Sequence, residues 1–237
     1  MKTLYESLRE SLLESFFDNI GGSTFKLIDS WCKNNIKGKY EIDKKTLTIN
    51  SSSDIKIIDK SSTEFPSYIH FGIVKGDFYC SNCYLLKSLK GAPKEVGGDF
   101  ICNYCDSLTS LEGAPEKVGK DFYCNDCTAL KSLKGAPEEI SGNFYCNYCS
   151  SLESLEGSPK KVAGNVYFNS CNSLKSLKGA PKEVGMDFNC CDCVSLESLK
   201  GASKEVGGDF YCTNCPALRS LEGISPNIKG KIYSDIR

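Results

Sequence analysis

From residue 77 onward, apolar side chains return to the same places every 22 residues. Phe78, Phe100, Phe122, Phe144, Phe188 and Phe210 form one column, with Val166 standing in for phenylalanine in the fifth turn. Two residues later come Cys80, Cys102, Cys124, Cys146, Cys190 and Cys212, with Phe168 in the fifth turn. Three residues further on, a second cysteine column runs unbroken from Cys83 to Cys215, followed by leucines from Leu86 to Leu218 and from Leu89 to Leu221. A fixed period of this kind predicts a solenoid, in which each turn buries its apolar side only against its neighbours. Seven full turns are legible.

Within a turn, Asp77-Phe78-Tyr79-Cys80 alternates polar and apolar, so Phe78 and Cys80 face inward while Asp77, Tyr79 and Ser81 face out, as a short strand requires. Stacked turns then make a parallel sheet. The three-residue spacing of Cys83, Leu86 and Leu89 predicts a tight helical or 3₁₀ segment on the opposite, convex side. Gly91-Ala92-Pro93 ends it, because proline has no N–H to donate and fixes its own φ. Val96, Val118, Ile140, Val162, Val184, Val206 and Ile228 add one more inward column.

The ends read as caps. Thr3-Leu-Tyr-Glu6 has the form of a capping box, and Leu4, Leu8, Leu12, Phe16 and Ile20 make a helical stripe ending at Gly21-Gly22. Ser23 can cap a second helix carrying Phe25, Ile28, Trp31 and Cys32 on one side. The expected division is a helical cap over 1–35, irregular entry strands over 36–73, the seven-turn solenoid over 74–228 and a polar C-terminal edge over 229–237.

The succession of inward positions resembles the leucine-rich repeat, and C-x-x-L-x-x-L followed by proline and valine is similar to its BspA-like bacterial class. The phrase from Ser88 to Phe100, SLKGAPKEVGGDF, resembles the repeats of leucine-rich proteins encoded by tailed bacteriophages and prophages. The segment around Trp31, Ile36, Tyr40, Ile42 and Phe65-Pro66 resembles that family's entry into its solenoid. The resemblance implies an α/β repeat fold: a leucine-rich-repeat solenoid with a parallel β-sheet face, a short helical, 3₁₀ or extended convex side, and an α-helical N-terminal cap.

Charge and chemistry narrow the function. A formal net charge of -1 lacks the basic footprint of a nucleic-acid binder. Acidic residues interrupt the apolar positions of Met1 to Ile20, so no signal peptide or membrane span is expected. Fifteen cysteines without a secretion signal then predict reduced thiols in a cytoplasm, that of the host for a phage protein, or in a virion. Cys80-x-x-Cys83 and Cys102-x-x-Cys105 have the spacing of a zinc site, yet Phe168 in the cysteine column and the apolar context favour core packing. Neighbouring turns also stand within disulfide reach. The single histidine, His70, has no base-and-nucleophile pattern around it, so neither catalysis nor a cofactor is expected.

The outward face of the strands is distinctive. Tyr79, Ile101, Tyr123, Tyr145, Tyr167, Asn189 and Tyr211 form one column, flanked by Asp77, Asp99, Asp121, Asn143, Asn165, Asp187 and Asp209 and, on the other side, by Asn103, Asn125, Asn147 and Asn169. Tyrosines bordered by hydrogen-bonding groups have the composition of a protein-recognition surface, and they also stabilise a ladder by stacking. The expectation is a monomeric, non-enzymatic interaction module for a host or phage protein. The alternatives are a virion-associated assembly protein anchored by its N-terminal amphipathic helix, and a zinc- or redox-responsive cysteine array.

Overall fold

The computed structural model describes residues 22–236. Helix α1 covers 22–35 and leads into β1 (Ile36–Gly38), β2 (Glu41–Ile42), β3 (Ile49–Ser51), β4 (Ile55–Ile57) and β5 (Phe71–Val74). The first six full turns each contribute one strand to each of two sheets, whereas the seventh gives a strand to the first sheet and only an isolated bridge, Val206 to Ile228, to the second. The Phe-Tyr strands are β6 (Phe78–Tyr79), β8 (Phe100–Ile101), β10 (Phe122–Tyr123), β12 (Phe144–Tyr145), β14 (Val166–Tyr167), β16 (Phe188–Asn189), β18 (Phe210–Cys212) and β19 (Ile232–Ser234). The valine column supplies β7 (Glu95–Val96), β9 (Lys117–Val118), β11 (Glu139–Ile140), β13 (Lys161–Val162), β15 (Glu183–Val184) and β17 (Glu205–Val206).

The first sheet has ten strands in the order β1-β4-β6-β8-β10-β12-β14-β16-β18-β19, and the second has nine, from β17 back to β5, β3 and β2. Pairing is parallel and in register along the coil, so that Phe122 stands beside Phe100 and Phe144. Only the N-terminal margins differ, where β1 and β2 close the two sheets by pairing antiparallel with β4 and β3. The architecture is a parallel-sheet β-solenoid of about eight turns with one N-terminal helix.

The expected helical or 3₁₀ convex side is not found among the described residues. Two isolated turns meet the Cys-Leu-Leu spacing instead, with Leu86 N donating to Cys83 O at 2.9 Å and Ala92 N to Leu89 O at 2.9 Å. One bend every three residues brings each leucine inward without winding a helix. The second sheet takes the place of the helix, because the following Glu-Val pairs find partners on adjacent turns.

The inward columns make one continuous core. Phe78, Phe100, Phe122 and Phe144 are wholly buried, with neighbouring ring centroids 5.1–5.8 Å apart. In the fifth turn the two inward residues are transposed. Phe168, reaching in from the cysteine position, lies 5.7 Å from Phe144 and 5.9 Å from Phe188, while Val166 fills the smaller space. The aromatic column is thereby unbroken at nearly constant volume, which a close-packed interior demands. The turn after the leucines needs glycine: at Gly135, φ is +95° and a Cβ would meet Glu112 Cα at 2.5 Å.

Helix α1 covers the N-terminal end of this core. Ile28 and Cys32 are fully buried, and Trp31 packs edge-on to Phe65, which contacts Phe71 and through it Phe78. Gly22 and Ser23 lie inside the helix, so Ser23 is not its N-cap as the sequence suggested; burial of Ile28 and Cys32 outweighs the ~1 kcal/mol cost of an exposed glycine. The capping box and the stripe from Leu4 to Ile20 fall outside the described residues. Lys60 closes the first turn from below, its ammonium donating to Ile57 O and Ser81 O and lying 3.7 Å from Cys83 Sγ.

Candidate recognition surface

The outer face of the first sheet is built from three side-chain columns that the strand alternation points away from the core. The middle one holds the tyrosines. Tyr123 and Tyr145 stack at 4.5 Å with planes 4° apart, Tyr145 and Tyr167 at 4.8 Å and 4°, and Tyr211 and Tyr233 at 4.7 Å and 4°. Ile101 and Asn189 interrupt the stack. The tyrosines from Tyr79 to Tyr211 are half-buried.

The aspartate column has a structural task that the sequence did not disclose. Asp77 Oδ1 accepts the backbone N–H of Asp99 at 2.8 Å, Asp99 Oδ1 that of Asp121 at 2.9 Å, and Asp121 Oδ1 that of Asn143 at 2.7 Å. Asn143, Asn165, Asp187 and Asp209 continue the ladder to Lys231. The second oxygen accepts a tyrosine hydroxyl in three turns: Tyr79 to Asp77 at 2.9 Å, Tyr123 to Asp121 at 2.9 Å and Tyr211 to Asp209 at 3.1 Å. The bond to Asp77, followed by burial, pushes the Tyr79 phenol up to about 12, and burial and Asp121 likewise raise Tyr123, so both remain donors. A parallel ladder runs through Asn103, Asn125, Asn147 and Asn169, each Oδ1 accepting the N–H one turn on at 2.8–3.0 Å.

The cysteines are equally committed. In the second column, Cys105, Cys127, Cys149 and Cys171 donate S–H to the carbonyls of Cys80, Cys102, Cys124 and Cys146 at 3.2–3.3 Å. Cys193 does the same to Phe168 O at 3.1 Å, so this column needs a thiol even where the first one carries phenylalanine. Burial pushes Cys80, Cys124, Cys146, Cys171 and Cys190 well above the ordinary thiol range. All the cysteines among the described residues are free thiols, and only Cys191 is not buried. No group of three or more His, Cys, Asp or Glu side chains among the described residues is placed to hold a metal ion. His70 is exposed.

Charge divides the coil in two. From the aspartate position to the first leucine of every full turn, the only charged residues are aspartates, as in DFICNYCDSL (99–108) and DFYCNDCTAL (121–130). Every lysine, arginine and glutamate of those turns lies on the remaining half, where Lys117 pairs with Glu95 at 2.9 Å, Lys134 with Glu112 at 2.8 Å and Lys178 with Glu156 at 2.8 Å. Those pairs are exposed, so water and salt screen them and they add little to stability.

Sequence reasoning missed the next column. The residue after the asparagine ladder has a left-handed backbone in every full turn, with φ from 56° to 59° at Asn82, Tyr104, Asp126, Tyr148, Ser170, Asp192 and Asn214. Asparagine, aspartate and serine suit such a corner, whereas tyrosine does not. Tyr104 and Tyr148 are nevertheless there, 46% and 55% exposed. Reading this column across turns would have exposed the mismatch. Among the described residues no helix is long and apolar enough to cross a membrane. Comparison with family models, with curated proteins and with solved structures found no match.

Proposed function

We propose that this chain is a non-enzymatic recognition module of the leucine-rich-repeat type, encoded by a phage or related mobile element, that binds a host or phage protein through the outer face of its first sheet. The observation that carries the reading is the tyrosine stack of Tyr123, Tyr145 and Tyr167, three parallel, half-exposed rings in the middle of a column flanked by amides and carboxylates. Rigid aromatic rings lose little entropy on binding and are the commonest anchors of protein interfaces. The phage and leucine-rich assignments rest on the repeat phrase and its 22-residue spacing.

The test is the triple variant Tyr123→Ala, Tyr145→Ala, Tyr167→Ala. Its circular dichroism should match the parent, since removing a stacked pair costs the fold ~0.2–1 kcal/mol. Capture of the partner that the parent protein retains from host lysate or from purified particles should be lost, because central anchors contribute ~2 kcal/mol or more each. Undiminished capture by a folded variant would move the function off this ladder.

A further inference from the structure

The ridge beside the asparagine ladder carries an inference that rests on the reading of this side as a protein-binding face and names the chemistry of the partner. Along three successive turns the ridge presents Tyr104, Asp126 and Tyr148, with Asp106 beside them. At a rise of ~4.8 Å per turn, the Asp126 position is ~5 Å from either tyrosine position. The tyrosines occupy corners where every other turn has Asn, Asp or Ser, so they weaken the fold locally, and their rings are among the most exposed aromatics of the molecule. The stacked tyrosines are others, and among the described residues no ring contact fixes either of these.

The charge here is uncompensated. Asp126 is half-buried, and burial followed by the neighbouring Asp106 raises its carboxyl above the ordinary range. Thr128 Oγ1 donates to Asp106 at 3.3 Å, and no lysine or arginine of the full turns lies on this half of the coil. Two exposed tyrosines on the turns either side of an aspartate, with aspartates the only charged residues on this half of the full turns, complement a planar cation. Such a cation gains both a charge-assisted bond and contact with ring faces.

We infer that this ridge is the docking site for an arginine-bearing segment of the partner protein, with a guanidinium seated on Asp126 between Tyr104 and Tyr148. Arginine fits better than lysine because its flat, weakly hydrated head stacks on a ring while bonding a carboxylate.

The experiment titrates the full chain with a synthetic alternating Gly-Arg peptide, and with the same peptide carrying neutral citrulline, by calorimetry and by chemical shift of the tyrosine rings. The parent should bind the arginine peptide saturably, more weakly as salt rises, and the citrulline peptide at least about tenfold less well. Tyr104→Asn with Tyr148→Asn should lower affinity for the arginine peptide by about tenfold or more, while its melting temperature stays level or rises because asparagine suits the left-handed corner. Asp126→Asn should weaken binding and flatten its salt dependence. Absence of saturable binding by the parent, or equal binding by the double asparagine variant, overturns the inference. The broader reading fails differently, through undiminished partner capture by the Tyr123/Tyr145/Tyr167 alanine variant, which leaves these corners intact.

Discussion

Asp121 separates a carboxylate that holds the coil together from one that serves only a binding face. Its Oδ1 accepts the Asn143 N–H at 2.7 Å, and its Oδ2 accepts the Tyr123 hydroxyl at 2.9 Å. Asp121→Ala leaves the half-buried Asn143 N–H without its acceptor and releases the phenol. A hydrogen bond to a charged group contributes ~1.5–3 kcal/mol when buried; at this half-exposed site, where water can replace part of it, the expected loss is about 2 kcal/mol. For a chain of this length that corresponds to a fall in Tm of roughly 4–8 °C. Asp121→Asn keeps an acceptor in place, as Asn143 and Asn165 do naturally toward Asn165 and Asp187, and should cost ~0.5 kcal/mol or less. Differential scanning calorimetry of the two variants beside the parent decides the matter. An alanine variant as stable as the parent would refute the ladder, and an asparagine variant as damaged as the alanine one would show that charge, not the acceptor, is what matters.

Other consequences concern the core and the thiols. Ser158 and Ser203 hydroxyls are buried without a partner, in columns where other turns carry alanine and proline; Ser158→Ala and Ser203→Pro should each raise stability by ~0.5–2 kcal/mol in denaturant titrations, and a loss would mean that the hydroxyls have partners. Val166→Phe should destabilise by ~1–3 kcal/mol through overpacking, and adding Phe168→Cys should recover most of that loss; purely additive effects would contradict the transposition. Burial pushes Cys32 and Cys193 up to about 12 and Cys215 up to about 11. Because these folded values lie above the unfolded value of 9.0, their contribution is complete below about pH 9 and disappears as pH rises through the folded values. Melting temperature should therefore hold up to about pH 8 and fall steadily toward about pH 11, with a flat profile counting against buried neutral thiols.

The parts of this molecule legible in one dimension are those that alternation and period dictate. Two-residue alternation put Phe78 and Cys80 inside and Tyr79 and Asp77 outside, and the 22-residue period placed each beside its counterpart on the next turn. The aromatic column, the parallel first sheet, the tyrosine stack and the ion pairs between turns all follow from that, and the packing of Ile28, Trp31 and Cys32 follows from their helical spacing ahead of the repeat. Local pattern ends where a group's partner lies a full turn away. Glu95-Val96 is too short to show its own alternation and is a strand only because Lys117-Val118 lies alongside it. The same Asp121 that reads as a free surface carboxylate is bound to a backbone N–H 22 positions downstream, and Cys105 is defined by a carbonyl 25 positions upstream. Period and polarity are properties of the chain, and they chose which side chains face inward; hydrogen-bond partners and backbone handedness belong to the stacked coil, and it alone decided that aspartate is a ladder rung, that thiols bond carbonyls, and that Tyr104 and Tyr148 stand exposed on corners better suited to asparagine.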